Sequence, residues 1–244
     1  MANLQHLELI TKHSEVWNNW RQENPSITPD LSDAYLVNIN LSNLNLRCAN
    51  LSGANLSQGN LTGTVLIKAN LAQANLTRVF AKDANFSLAD LQDANLFSGY
   101  FMEADFSRAS LRGVNFQEAN CMKSYFIAAN LEYANLTKSN FNGSHLIEAN
   151  LNNTNSMGAS FVESDLTLAS VINTDLTGAN LTGALIEDWD FNGETIFARV
   201  FCDYIYISGQ EKISTLQDFP WMNHQFRNLL NSNYQKADYI SSAE

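Results

Sequence analysis

The side chains that could do covalent or metal chemistry in this chain are few and scattered. Four histidines stand at His6, His13, His145 and His224, and three cysteines at Cys48, Cys121 and Cys202. No histidine pairs with a cysteine or carboxylate at ligand spacing, and there is no CxxC, so no metal site is expected. Glycine-rich phosphate loops and the GxSxG turn of a serine nucleophile are missing as well. An odd number of widely separated cysteines argues against a disulfide framework. The carboxylates are spread along the chain, with no pair singled out for acid–base work. These residues imply a non-enzymatic protein with no catalytic residue and no cofactor.

The remaining question is what so polar a chain is built to position. It has 244 residues, with 14 Lys and Arg against 25 Asp and Glu, a net charge of -11. That balance argues against direct nucleic-acid binding and against docking on an anionic membrane. No apolar run approaches the ~18 residues of a membrane span. The opening, Met1 to His6, lacks a basic region followed by an apolar run, so a cytoplasmic location is the expectation. Charged residues make up only 16% and hydrophobic ones 45%, which speaks against disorder. Asparagine occurs 32 times, a burden in ordinary helices or strands.

The asparagines fall into an internal repeat of five. Stepping by five from Leu31 to Phe201 gives 35 positions, of which 20 are Leu and 9 Phe. The residue two places earlier is Ala 18 times and Gly, Ser or Thr 9 times; the one between is Asn 17 times and Asp 6 times. The unit reads Ala-Asn-Leu-x-x. A helix cannot use it, because five residues at ~100° each move successive Leu ~140° around the axis. A straight strand cannot either, because an odd period alternates faces. The chain must turn once per repeat, so that every Leu and its Ala face one interior and each turn hydrogen-bonds to the next. Cys121 and Ser156 take interior positions, where they read as a small buried hydrophobe and a packing defect rather than nucleophiles.

Ala-Asn/Asp-Leu-x-x tandems resemble the pentapeptide-repeat family. The resemblance implies an all-β solenoid, a right-handed quadrilateral parallel β-helix with four repeats per coil. Thirty-five units then give about nine coils and a rod of about 40 Å. Sorting by 20 gives an all-Leu column, Leu31, Leu51, Leu71, Leu91, Leu111, Leu131 and Leu151. Adjacent Phe-rich columns hold Phe86, Phe106, Phe126 and Phe101, Phe141, Phe161, Phe201.

A solenoid must close its two ends, so short α-helical caps are expected at both. Residues 4–24 read as one amphipathic helix, with Leu7, Ile10, Trp17 and Trp20 near one side and Pro25 at its end. Val16-Trp17-Asn18-Asn19-Trp20-Arg21, Asn24-Pro25 and Pro29-Asp30-Leu31 are similar to the lead-in of many cyanobacterial members of the family, and Phe201-Cys202-Asp203-Tyr204-Ile205-Tyr206 to their closing segment. Asp218 is a candidate N-cap for a helix from about Pro220 to Tyr234. The division expected is 1–28 as N-terminal helical cap, 29–206 as β-helix and 207–244 as a tail with a capping helix. That last helix either lids its own rod or forms a homodimer contact, as the resemblance to the family's gyrase-protecting members implies.

With no chemistry in view, function falls to the surface. Outward positions are mostly small and polar, except for Phe80, Tyr100, Met102, Met122, Tyr125 and Ile127, with Ile147 one coil on. This apolar strip is the candidate binding site for a protein partner, unless a register adjustment at Phe80-Ala81 turns Phe80 inward. The main reading is a rigid protein-interaction scaffold. The alternative, implied by the resemblance, is an acidic DNA mimic that binds DNA gyrase. Between Pro29 and Asp203 there are 18 acidic and 9 basic residues, a thin charge for such mimicry.

Overall fold

The computed structural model describes residues 2–12, 14–208 and 211–214, together with Asn228 and Leu230. Two helices open it, α1 (Leu4–Ile10) and α2 (Ser14–Glu23). The repeats follow, and the described strands β1 (Tyr204–Ser208) and β2 (Glu211–Ser214) form an antiparallel pair after them.

The repeats form a parallel β-helix. Every fifth residue from Asp30 to Asp175 makes a parallel bridge to a later one, Asp30 to Asn50, Tyr35 to Asn55, Asn40 to Asn60, Asn45 to Val65 and onward. Four bridges recur per 20-residue step, so each coil has four sides. They are numbered here from the first coil: side one centred on Leu31, side two on Leu36, side three on Leu41 and side four on Leu46.

One repeat shows how the backbone is satisfied. Ala74 N–H donates to Leu71 O (3.0 Å), closing the turn; Asn75 N–H donates back to Ala54 O (2.9 Å); Leu76 and Arg78 N–H donate forward to Asn95 O (2.7 Å) and Phe97 O (2.9 Å). The fifth amide, Thr77 N–H, is taken by the Asn75 side-chain oxygen at 3.0 Å. The same side-chain bond recurs at Asn55, Asp90, Asn115 and Asn135, among others. Asn and Asp dominate this position because a short side-chain acceptor reaches the amide two residues on.

Each turn also needs one residue with positive φ. It is the second after the interior Leu, at every repeat from Asp33 to Asp188, and it is Gly at only seven of those places. Polar and charged residues fill most of the rest, with Cys48, Ala128, Tyr133 and even Leu88 and Leu168 among them, but never Val, Ile or Thr, whose branched Cβ is least compatible with left-handed backbone.

Columns of Leu and Phe line the interior as far as Phe161. Leu31, Leu51, Leu71, Leu91, Leu111, Leu131, Phe86, Phe106 and Phe126 are all fully buried. Phe86, Phe106 and Phe126 stack on one another at 4.7 and 4.9 Å, and Phe116 meets Phe106 and Phe126 edge-on. The position two before each interior residue is small because the coil itself is tight there: a Cβ on Gly99 would lie 2.4 Å from the ring of Phe101 in the same coil. Ser156 is buried and shares a 3.1 Å hydrogen bond with Thr154, a paired interior hydroxyl with no nucleophile geometry.

Two expectations are corrected. The 4–24 helix is broken: α1 stops at Thr11, whose hydroxyl donates to Glu8 O at 3.0 Å and competes with helix continuation. The strict five-residue register to Phe201 also fails. Asp175 bridges Ile196, Asn180 bridges Phe201 and Leu185 bridges Tyr206, each 21 residues apart. One extra residue enters between Asp190 and Ile196, where Asn192 Oδ1 accepts from the Glu194 and Thr195 amides at 3.1 Å each. Phe197 and Cys202 therefore take the interior, and Ile196 and Phe201 turn outward, 39% and 50% exposed. The Phe column ends at Phe161.

The first coil is closed on two sides by α1 and α2. Asn3 N–H donates to Asp30 O (3.0 Å) and Asp30 N–H to His6 Nδ1 (2.9 Å). Trp17, fully buried, donates through Nε1 to Asn45 O (2.8 Å), and Asn45 N–H donates to Asn18 Oδ1 (2.8 Å). Buried Arg21 donates to Ile27 O and Arg47 O, and burial lowers its pKa. The Pro220–Tyr234 helix and the homodimer contact lie outside the described residues, apart from helical Asn228 and helical, fully buried Leu230.

Two substitutions test this architecture by urea or thermal unfolding. Leu111→Asp places an unpaired charge in the Leu column and should abolish cooperative folding of the neighbouring coils, at several kcal/mol or more. Leu168→Ile, at a half-exposed turn position with φ of 58°, should destabilise by about 1 kcal/mol through the branched Cβ alone. Leu168→Asn should cost less than about 0.5 kcal/mol.

Candidate functional site

All six partner-site residues lie on the outside of the rod. Phe80 is 53% exposed and its neighbour Ala81 fully buried, so the register at this point is the regular one. Tyr100 and Tyr125 are exposed, while Met102, Met122 and Ile127 are half-buried. Phe80, Tyr100, Met102 and Met122 belong to side three; Tyr125 and Ile127 belong to side four. The strip is therefore two patches on adjacent sides, and the corner residues Glu103 and Lys123 between them are exposed.

Each patch is built on an aromatic stack. Phe80 and Tyr100 lie 5.1 Å apart and 3° from parallel. Tyr125 stacks on His145 at 5.1 Å and 13°. In the sequence His145 is only one of four scattered histidines, and its stacking is a tertiary fact; the only hint is its 20-residue spacing from Tyr125. All four rings occupy the position that elsewhere holds Asn or Asp. Consequently the amides of Lys82, Met102, Ile127 and Ile147 lack the side-chain acceptor that closes most other turns.

A shallow groove of about 360 Å³ runs beside the first stack, lined by Asn38, Gln58, Arg78, Phe80, Ser98 and Tyr100. Asn38, Gln58, Arg78 and Ser98 are successive corner residues between sides two and three, each with positive φ. Arg78 brings a cation to an otherwise neutral wall. Nothing in the local sequence marks Arg78, because chain order does not reveal that a corner residue borders the ring on the next side.

Ionic structure is slight. The ion pairs are surface contacts such as Lys82 with Asp83 and Glu103, at 3.4 and 3.8 Å, and Arg112 with Glu132 at 3.3 Å. Among the described residues no group of His, Cys, Asp or Glu could hold a metal ion, and no helix is long and apolar enough to cross a membrane. Burial pushes the Cys121 thiol well above its ordinary range and that of Cys202 up to about 12, with Asp203 adding to the latter.

The family profile for pentapeptide repeats matches in eight copies, over residues 30–63, 64–98, 104–143, 124–155 and 144–183. The chain belongs to the pentapeptide-repeat family. Among solved structures it is similar to HetL, a pentapeptide repeat protein involved in heterocyst differentiation regulation from the cyanobacterium Nostoc sp. strain PCC 7120. That match has 27% identity, covers 68% of this chain and 78% of HetL, and has a TM-score of 0.60. It is also similar to QnrB1, a plasmid-mediated fluoroquinolone resistance protein, at 17% identity over 67% of this chain and 89% of QnrB1, with a TM-score of 0.44. A thylakoid-lumen pentapeptide repeat protein of Arabidopsis thaliana matches at 33% identity over 41% of this chain and 66% of its own, with a TM-score of 0.30. No curated protein matches the chain. Family and fold likeness establish a right-handed β-helix solenoid.

Thiol chemistry checks the placement of the cysteines. A thiolate-selective reagent at neutral pH should label Cys48, which is exposed, and leave Cys121 and Cys202 unreacted until the protein is unfolded. Mass mapping of native and denatured samples reads the difference.

Proposed function

We infer that this pentapeptide-repeat rod is a non-catalytic, cytoplasmic scaffold that binds a protein partner through side three and the adjoining part of side four. Helical segments at its ends serve as caps, and nearly nine coils give it stiffness. One observation carries the reading. At Phe80, Tyr100, Tyr125 and His145 the chain forgoes a turn-closing hydrogen bond, about 1 kcal/mol each, and places stacked rings in the surface instead. Nothing in the coil requires this, since Asn serves at most other repeats, whereas aromatic and Met side chains are what protein interfaces concentrate.

The likeness to HetL, involved in regulating heterocyst differentiation, supports a regulatory rather than a catalytic role. Phe80, Tyr100, Met102 and Met122 form the central contact, Tyr125 and Ile127 its flank, and Arg78 adds a charged point beside the first stack.

The test is affinity capture from a cyanobacterial lysate, with a Tyr100→Ser/Met122→Ser variant alongside. The variant should melt within a few degrees of the parent, because both side chains are outside the core, and should lose at least tenfold of the captured partner. Equal capture by both proteins would remove the patch from consideration. A gyrase subunit in the eluate would replace this reading by the DNA-mimic one.

A further inference from the structure

The first coil is an open strand edge, and α1 and α2 close only part of it. In the interior of the rod the residue before each Leu points its N–H and C=O at the preceding coil: Asn55 N–H donates to Ala34 O and its carbonyl accepts from Leu36, and Asn60 pairs in the same way with Ile39 and Leu41. The carbonyl of the residue after each Leu also faces that coil, as Ser57 O accepts from Asn38 and Thr62 O from Asn43. The first coil has no preceding coil. On sides one and four its edge groups are taken up by Asn3, His6, Trp17, Asn18 and Arg21. On sides two and three nothing among the described residues does this. Tyr35 N–H and C=O, Val37 C=O, Asn40 N–H and C=O, and Ser42 C=O all face the open edge with no partner among the described residues.

Beneath that edge lies a hollow of about 520 Å³, lined by Ile10, Thr11, Lys12, Ser14, Ile39, Asn40, Ser42 and Leu44. Ile39 and Leu44 occupy the position that is Ala or another small residue through most of the rod. Leu44 and Ile10 pack into the core cluster, and Ile39 packs against it while remaining partly exposed. The site thus combines two features. Donors and acceptors are set at strand spacing, and an apolar hollow sits beside them with Lys12 at its rim.

We propose that this half-open edge, Tyr35 to Ser42, binds an extended polypeptide segment of a protein partner by strand addition, with an apolar side chain of that segment seated in the Ile10/Ile39/Leu44 hollow. Only a polypeptide backbone offers N–H and C=O groups in the order this edge requires. The chain's own Asn3 already pairs through its main-chain N–H with Asp30 on the neighbouring side, so a bound segment continues a pairing that exists. The segment follows the bend of the coil from side three onto side two, where Asn38 also begins the groove leading to Phe80 and Tyr100. The inference stands on the edge groups and not on that patch.

The probe is a phage-displayed library of random 12-residue peptides, selected on the full chain. Edge variants are Tyr35→Pro and Asn40→Pro, which delete N–H groups without a ladder partner. Asn60→Pro, one coil on, deletes the amide that donates to Ile39 O (2.8 Å) and should lower the melting temperature where the edge variants do not. Enriched peptides should bind the parent and the Tyr100→Ser/Met122→Ser variant alike, and lose at least tenfold in affinity on the edge variants. In the unmodified chain the Tyr35 and Asn40 amides should gain protection from hydrogen exchange when such a peptide is bound. Failure to enrich any peptide, equal binding to the edge variants, or unchanged exchange at both amides would overturn the proposal. Self-association of the chain that Tyr35→Pro abolishes would also overturn it, by showing the edge's occupant to be a second copy.

Discussion

Everything in this molecule depends on closing five backbone amides in every five residues. The turn closes one, the preceding coil a second and the following coil two more; the last is closed at most repeats by the side chain of Asn or Asp. Because water is excluded from the interior and each coil shields the next, an unclosed amide is costly. The repeat therefore favours Asn or Asp at this position and admits no change in length without a local repair. Asn192 shows such a repair, gathering the amides of the loop where one residue is inserted.

The interior follows from the same constraint. With the backbone held at strand spacing, the space inside a coil is set in advance, and side chains must fill it in layers. Leu above Leu and Phe above Phe repeat at that spacing, which is also the distance at which rings stack. Small residues fill the tight position of each repeat, and larger ones return at the ends: Leu44 in the first coil, and Trp189 in the last, donating to Leu166 O at 2.9 Å. The ends differ from the middle because each has a neighbour on one side only.

Departures from the repeat are consequently the informative residues. In a surface where Asn is the default, stacked Phe80 and Tyr100 leave turn amides unclosed and put apolar rings in water. In a coil edge that must be covered, helices pair with sides one and four, and among the described residues nothing pairs with the donors and acceptors of sides two and three. Both lie toward one corner of the rod, and both concern association with other polypeptides rather than chemistry on a small substrate.

The sequence by itself determined the solenoid, because a five-residue period is incompatible with straight helix or strand and most repeats carry their own Asx acceptor for the turn. It also determined the interior columns as far as Phe161 and the outward placement of Tyr100, Met102, Met122, Tyr125 and Ile127, since period and register are local properties; that Phe80 faces out and Ala81 in was left to the structure. Only the tertiary structure decided where the register slips. Phe191 and Phe201 keep the five-residue spacing, but the coil above selects Phe197 and Cys202 for the interior and turns Phe201 out. It also decided that Tyr125 stacks on His145, that Arg78 borders the Phe80 groove, and that α1 and α2 meet only two sides of the first coil. Each of these depends on residues 20 or more apart meeting across coils, where chain order carries no signal of how side chains lean or which edge groups find a partner.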